Sequence, residues 1–225
     1  RAPAAPRPGG NAGLSAHQIP PPSPRPAGAR RILRNAFFVF VARGTDLASR
    51  LAVYLIVWQY LDKPGVADFV PVRNAAMLLF AIMDFGLNDI LTRDMVSARR
   101  PIDALLGGVL VDRGAIVLLS LAGVLAVALG SDWRWEIRAS LLVVWAASSI
   151  DAMTEAYIAM FRGRERMHYD LVAVLAMRLV SLAGTVAVWL LDLGFVALFA
   201  ASLAGSIAKS LLILWAGLRH FPFRP

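Results

Sequence analysis

The chain has 225 residues, 58% hydrophobic and 17% charged, with a mean hydropathy of +0.63 and a net charge of +8 from 23 Lys and Arg against 15 Asp and Glu. A soluble domain runs near a quarter charged and under half apolar, so a soluble globular protein is excluded as the first expectation, and the absence of cysteine excludes disulfides and thiolate metal sites. The basic excess in so apolar a chain points to anionic membrane lipids rather than to nucleic acid.

Residues 1–30, RAPAAPRPGGNAGLSAHQIPPPSPRPAGAR, hold 8 of the 13 prolines, no acid, and only Leu14 and Ile19 as large aliphatics. Such a stretch buries too little surface to offset chain entropy, so a disordered Pro/Ala/Arg-rich tail is expected. It lacks the apolar run of a secretory signal peptide. The first residue is arginine, not methionine, so the sequence is read as a piece of a longer parent.

From Leu33 the composition flips. Six apolar segments follow, at 33–60, 71–92, 103–130, 136–161, 168–191 and 194–218. At 1.5 Å per helical residue each is long enough to cross a hydrocarbon core of about 30 Å. They are separated by DKPG at 62–65, RRP at 99–101, GSD at 130–132, RGRER at 162–166 and DLG at 192–194. The expected fold is an all-α polytopic membrane protein of six transmembrane helices in three antiparallel hairpins, spanning 31–220, with 221–225 as a short cytoplasmic end.

Basic residues set the orientation. The stretch to Arg34 has six arginines, and Arg93, Arg99, Arg100, Arg162, Arg164, Arg166, Arg219 and Arg224 fall on the same side. Lys63, Arg134 and Arg138 fall on the other, beside Asp62, Asp68, Asp132 and Glu136. The positive-inside rule then places both termini in the cytoplasm. Trp58, Tyr60, Trp133, Trp135 and Trp189 fall at outer ends, and Tyr169, Trp215 and Phe221 at inner ends, as interfacial aromatics do.

Ionisable residues within the segments are the functional signal, because each mid-bilayer charge costs about 2.5–3.5 kcal/mol on insertion scales and needs a partner or a wet cavity. At 100° per residue, Arg43, Asp46, Arg50 and Tyr54 share an arc of roughly 80° on the first helix. Arg73, Asp84 and Asn88 share about 60° on the second, and Ser202, Gly205, Ser206 and Lys209 about 100° on the sixth. Asp151 and Glu155 lie one turn apart on the fourth. Lipid-facing surfaces must stay apolar, so these faces point to a charged lumen between the helices.

Its candidate cations are Arg43, Arg50, Arg73, Arg113, Arg178 and Lys209, and its acids are Asp46, Asp84, Asp112, Asp151 and Glu155. Arginine stays charged when desolvated and grips phosphate with a two-pronged fork, so the cations suit an anionic, phosphate-bearing ligand. The acids, Asp84, Asp151 and Glu155 above all, would serve a coupling cation or proton. The competing reading makes these charges packing ion pairs, Arg43 with Asp46 and Asp112 with a neighbouring helix's cation. Arg73, placed near an outer helix end, would snorkel to water.

No motif speaks for an enzyme, a cofactor or a metal site. DFG at 84–86 lacks any accompanying kinase motif, no GxSxG, HExxH or P-loop occurs, and His17, His168 and His220 are too scattered to form a metal cluster. The string SLAG recurs at 120–123, 181–184 and 202–205; small residues at tight helix contacts explain it better than an ancient repeat does.

The stretch from Arg34 to Val96 resembles the opening of the O-antigen-type oligosaccharide flippases, within the superfamily of multidrug, oligosaccharidyl-lipid and polysaccharide exporters. The likeness lies in a basic-plus-Asn start, an apolar first helix, the short loop YLDKPGVADF, and a second helix closing on FGLNDILTRDM, Phe85 to Met95. AYIAMFRGRERMHYD, Ala156 to Asp170, is similar to that family's turn between helices four and five. The resemblance implies a flippase of the bacterial inner membrane that moves a polyprenyl-diphosphate-linked oligosaccharide across the bilayer for polysaccharide biosynthesis, with Arg43, Arg50 and Arg73 lining the cavity. Members of that family carry a second lobe, so this chain is expected to be the amino-terminal lobe or to pair with another copy. An ion-coupled multidrug exporter of the same superfamily, a membrane enzyme acting on lipid head groups, and a structural subunit are the rival readings.

Overall fold

A computed structural model of the chain describes residues 26–84, 86, 88, 102–163 and 168–220. They form six α-helices: α1 Pro26–Tyr60, α2 Lys63–Asp84, α3 Ile102–Gly130, α4 Trp135–Gly163, α5 His168–Leu191 and α6 Phe195–His220. No strand occurs among the described residues. The expected tail overlaps α1 at residues 26–30, and the rest of it lies outside the described residues, as do Phe85, Asp89, the arginines at 93, 99, 100, 164, 166 and 224, and the end at 221–225.

The largest departure from expectation is the start of α2. DKPG reads as a break, yet the helix begins at Lys63, eight residues before the expected 71. Asp62 caps it: its Oδ1 accepts the Gly65 backbone N–H at 2.8 Å, and its carbonyl accepts that of Val66 at 2.9 Å. Pro64 sits in the first turn, where a missing N–H costs nothing, while Pro71 lies inside the helix. The link from α1 to α2 is therefore only Leu61 and Asp62.

Five helical spans are long and apolar enough to cross a membrane: Lys63–Asp84, Gly107–Gly130, Trp135–Arg162, His168–Leu191 and Phe195–Arg219. The first helix is long enough at 35 residues but carries Arg43, Asp46 and Arg50 near its middle, which lowers its apolar character below that of the others. Trp58, Trp133, Trp135 and Trp189 are exposed around the end of the bundle where α1 meets α2, α3 meets α4 and α5 meets α6. At the opposite end Trp215 is exposed with the Arg219 guanidinium 5.5 Å over its ring.

Helix α4 is the hub, packed against α2, α3, α5 and α6, while α1 packs chiefly on α5 and α2 on α4. Near the Tyr60 end every helix contributes to one apolar cluster, with Val57 from α1, Phe69 and Val72 from α2, Val124 from α3, Leu141 and Val144 from α4, Val188 from α5, and Leu198 and Phe199 from α6. Phe69 and Phe199 stack there with ring centroids 5.0 Å apart. Toward the other end the buried cluster of Ile158, Phe161, Ala173, Ile213 and Ala216 comes from α4, α5 and α6 alone. In these clusters α1 takes part at the Tyr60 end only, while α2 is also anchored at the other end, where Met83 is fully buried against Ser149 of α4.

The SLAG strings on α5 and α6 face one another. A Cβ on Gly205 would meet Ser181 Oγ and lie 2.7 Å from the Met177 carbonyl oxygen, and one on Gly184 would lie 2.8 Å from Ala201 Cβ. Small residues here let two backbones approach, which is packing rather than repetition. The third string differs: Gly123 on α3 has nothing within 4 Å of a Cβ position. Gly205→Ala is therefore expected to cost about 1–3 kcal/mol through a clash with a backbone oxygen that cannot move aside, lowering the thermal midpoint in detergent micelles. Gly123→Ala should leave that midpoint unchanged or raise it, because alanine is the better helix former by about 1 kcal/mol.

The open ends are pinned by polar contacts. The Tyr60 hydroxyl donates to Asp192 Oδ1 at 2.7 Å and accepts the Gly194 N–H at 3.0 Å, so the end of α1 is clasped to the α5–α6 turn. That turn reverses the chain through positive φ at Asp192 (49°) and Gly194 (89°).

Candidate functional site

Three arginines from three helices meet in one cleft. Arg50 of α1, Arg73 of α2 and Arg178 of α5 line a small cleft, together with Ser181 and Thr185 of α5 and Ser202 of α6. Val57, Phe69, Leu198 and Phe199 complete it on the Tyr60 side. At 1.5 Å per residue, Arg50 and Arg73 lie about 15 Å, and Arg178 about 20 Å, from the ends of their helices on that side, which is the middle of a bilayer. The eight-residue extension of α2 is what sinks Arg73 to this depth, so the expected snorkelling position at the helix end does not arise.

Among the described residues, one carboxylate serves this cleft. Asp46 Oδ2 lies 3.0 Å from Arg50 Nε, one turn along α1, and Asp46 Oδ1 pairs with Arg178 Nη2 across the α1–α5 contact. Arg73 lies in the same cleft as Arg50 and Arg178. Three guanidinium groups against one carboxylate leave the cleft with uncompensated positive charge. Ser181 Oγ is buried without a hydrogen-bond partner, as is Arg178 Nε, so donors are on hand that nothing within the described residues uses. Arg50 keeps 35% of its side chain exposed, which makes the group reachable.

A second polar tier lies deeper toward the opposite end, and it is closed. The Arg113 side chain of α3 is 0% exposed; it donates to Asp84 Oδ1 at 3.0 Å, to Asn88 Oδ1 at 2.7 Å, and to the Ala152 carbonyl oxygen. Lys209 of α6 lies 3.2 Å from Asp151 Oδ1 and 2.9 Å from Glu155 Oε1, both on α4, and Ser206 Oγ donates to Asp151 Oδ2 at 2.9 Å. Arg162 bridges Glu155 at 3.6 Å and Asp170 at 2.7 Å. Here three cations meet four carboxylates, nearly balanced, with Arg113 and Lys209 buried and Asp84 and Arg162 partly exposed. Among the described residues no group of three His, Cys, Asp or Glu side chains is placed to hold a metal ion.

The residues singled out in the sequence therefore divide. Arg50, Arg73 and Arg178 come together with Asp46 in the open cleft. Arg113 and Lys209 do not join them; they sit in the closed tier, where Asp84, Asp151 and Glu155 hold them. Arg43 is exposed on α1 and makes no ion pair among the described residues, where Asp46 pairs instead with Arg50 and Arg178. Asp112 is likewise exposed on α3, without the cation of a neighbouring helix. Ser181 and Thr185, two hydroxyls one turn apart on the α5 face that carries Arg178, escaped the sequence reading because serine and threonine in an apolar helix carry no charge signal. Counting in threes and fours from Arg178 would have found them.

Compared with known proteins, the sequence matches no family model, and no curated protein is similar to it. The fold, by contrast, is shared. A transporter of the MOP superfamily from Pyrococcus furiosus, described as having a binding pocket of reversed polarity that suggests a different function, superposes with a TM-score of 0.65 at 17% identity. An outward-facing multidrug resistance transporter of the MATE family, in the same superfamily, superposes with a TM-score of 0.66 at 16% identity. Each match covers 85% of this chain and 45% of the other, so this chain spans a little under half the length of either. The six helices thus have the fold of one lobe of such a molecule.

Proposed function

We propose that this chain is one six-helix lobe of an inner-membrane transporter that carries an anionic lipid-linked sugar, with a diphosphate-linked oligosaccharide as the cargo and both termini in the cytoplasm. The observation that carries this reading is the convergence of Arg50, Arg73 and Arg178 on a reachable mid-depth cleft that holds a single carboxylate. Guanidinium forks in a low-dielectric cleft hold phosphate oxygens in two places, while the hydroxyls of Ser181 and Ser202 offer further contacts. A phosphate would enter a site that already repels cations, and the prenyl tail would stay in lipid beside α1. In the two-lobed molecule, a facing lobe would complete the cavity and rocking of the lobes would expose it to each side in turn.

The multidrug-exporter reading draws on one of the structural neighbours, and it needs acids free to bind a coupling cation. Asp84, Asp151 and Glu155 are instead held by Arg113 and Lys209, which favours the anionic cargo. The test is transport of lipid-linked sugar by the complete protein carrying Arg50→Gln with Arg178→Gln. Export should fall at least about a hundredfold, since two charge-assisted contacts of about 1.5–3 kcal/mol each are removed. Export at the unaltered rate overturns the proposal, and loss of export on Asp84→Asn with the arginine variants active would favour the multidrug reading.

A further inference from the structure

The cleft arginines are not idle in the absence of cargo. Arg50 and Arg178 come from different helices, yet both close on the two oxygens of Asp46, one oxygen each. A carboxylate held by two guanidinium groups presents the geometry a phosphate would present: paired oxygens, negative charge, two forks. The Arg50 side of this cluster is open to water. Arg50 keeps 35% of its side chain exposed and Asp46 19%, while Arg178 keeps 13%. An ion pair open to water is worth little, so the Asp46–Arg50 pair can be exchanged.

We infer that Asp46 is a tethered stand-in for the cargo's phosphate, a specificity-determining residue that occupies Arg50 and Arg178 until a dianionic head group displaces it. This inference rests on the anionic-cargo reading of the same cleft. The displaced carboxylate remains on α1 beside the bound anion and repels it, so Asp46 sets a threshold: a ligand with a single weak charge does not outcompete it, and a diphosphate with several oxygens does. It also ties cargo to shape, because the Asp46–Arg178 pair is a polar bond between α1 and α5 and is released when the cargo takes Arg178.

The experiment measures binding of inorganic pyrophosphate to the full chain in lipid nanodiscs, native against Asp46→Asn. Removing the internal competitor should tighten binding about tenfold, the equivalent of 1.4 kcal/mol, while leaving the amide able to hold the helices. A second measurement needs no variant: pyrophosphate should increase labelling of Asp46 in the native chain by a carboxylate-directed carbodiimide, mapped by peptide mass spectrometry. Equal or weaker binding by Asp46→Asn, or labelling of Asp46 that is unchanged or reduced, overturns the stand-in role while leaving the anion site intact. If neither form binds pyrophosphate, the anionic-cargo reading itself falls, and the inference with it.

Discussion

Arg113→Met is expected to lower the stability of the lobe by about 3–5 kcal/mol, the cost of breaking a buried ion pair by removing one partner. The substitution keeps a long apolar stem but strips the charge that three groups share: Asp84, Asn88 and the Ala152 carbonyl oxygen, on and beyond α2 and on α4. Asp84 then loses the guanidinium that offsets much of its desolvation and keeps the Asn88 amide, which donates to its Oδ1. The measurement is the thermal midpoint in detergent micelles. The double variant, Arg113→Met with Asp84→Asn, should recover much of the loss, because an amide asks for a hydrogen bond and not a cation. Equal melting of native and Arg113→Met would show that the pair contributes nothing.

Lys209→Met should have an effect of similar size for a different reason. Its ammonium stands between two carboxylates on α4, at 3.2 Å from Asp151 and 2.9 Å from Glu155. Without it those acids lie one turn apart, Glu155 with Arg162, itself shared with Asp170, and Asp151 with the Ser206 hydroxyl. Like charges at that spacing repel, and the α4–α6 contact that the lysine ties together loosens, for a loss of about 3–5 kcal/mol. Adding Asp151→Asn and Glu155→Gln to Lys209→Met should restore the midpoint. The same triple variant should leave pyrophosphate binding in the Arg50–Arg178 cleft unaffected, since none of its side chains lines that cleft.

The helices were legible in the sequence because hydrocarbon imposes one rule on every residue of a span: stay apolar or find a partner. That rule put four of the six helix starts within one residue of their positions and missed two: α1, which begins seven residues early at Pro26, and α2, where Asp-Lys-Pro-Gly looks like a break. The same four residues make a capped helix start, since aspartate accepts the early N–H groups and proline lacks one to satisfy. The angular arithmetic on α1 grouped Asp46 with Arg50 correctly, because both lie on one helix. It did not separate Arg50 from Arg113. Both are arginines in the middle of apolar helices, and only the neighbouring helices decide which one is buried and which one faces a cleft. Position along a helix is local information, and pairing between helices is not.

The first helix finds its main partner in α5, not in the α2 that follows it. During synthesis α1 therefore enters the membrane with Arg50 and Asp46 aboard and waits while three further helices are made before Arg178 arrives to share them. The one-turn spacing of Asp46 and Arg50 answers this interval, letting the helix neutralise its own charge in the lipid until the late partner docks. Docking of α1 therefore waits on the synthesis of α5, and a ribosome stalled before α5 would leave the first helix without its main partner.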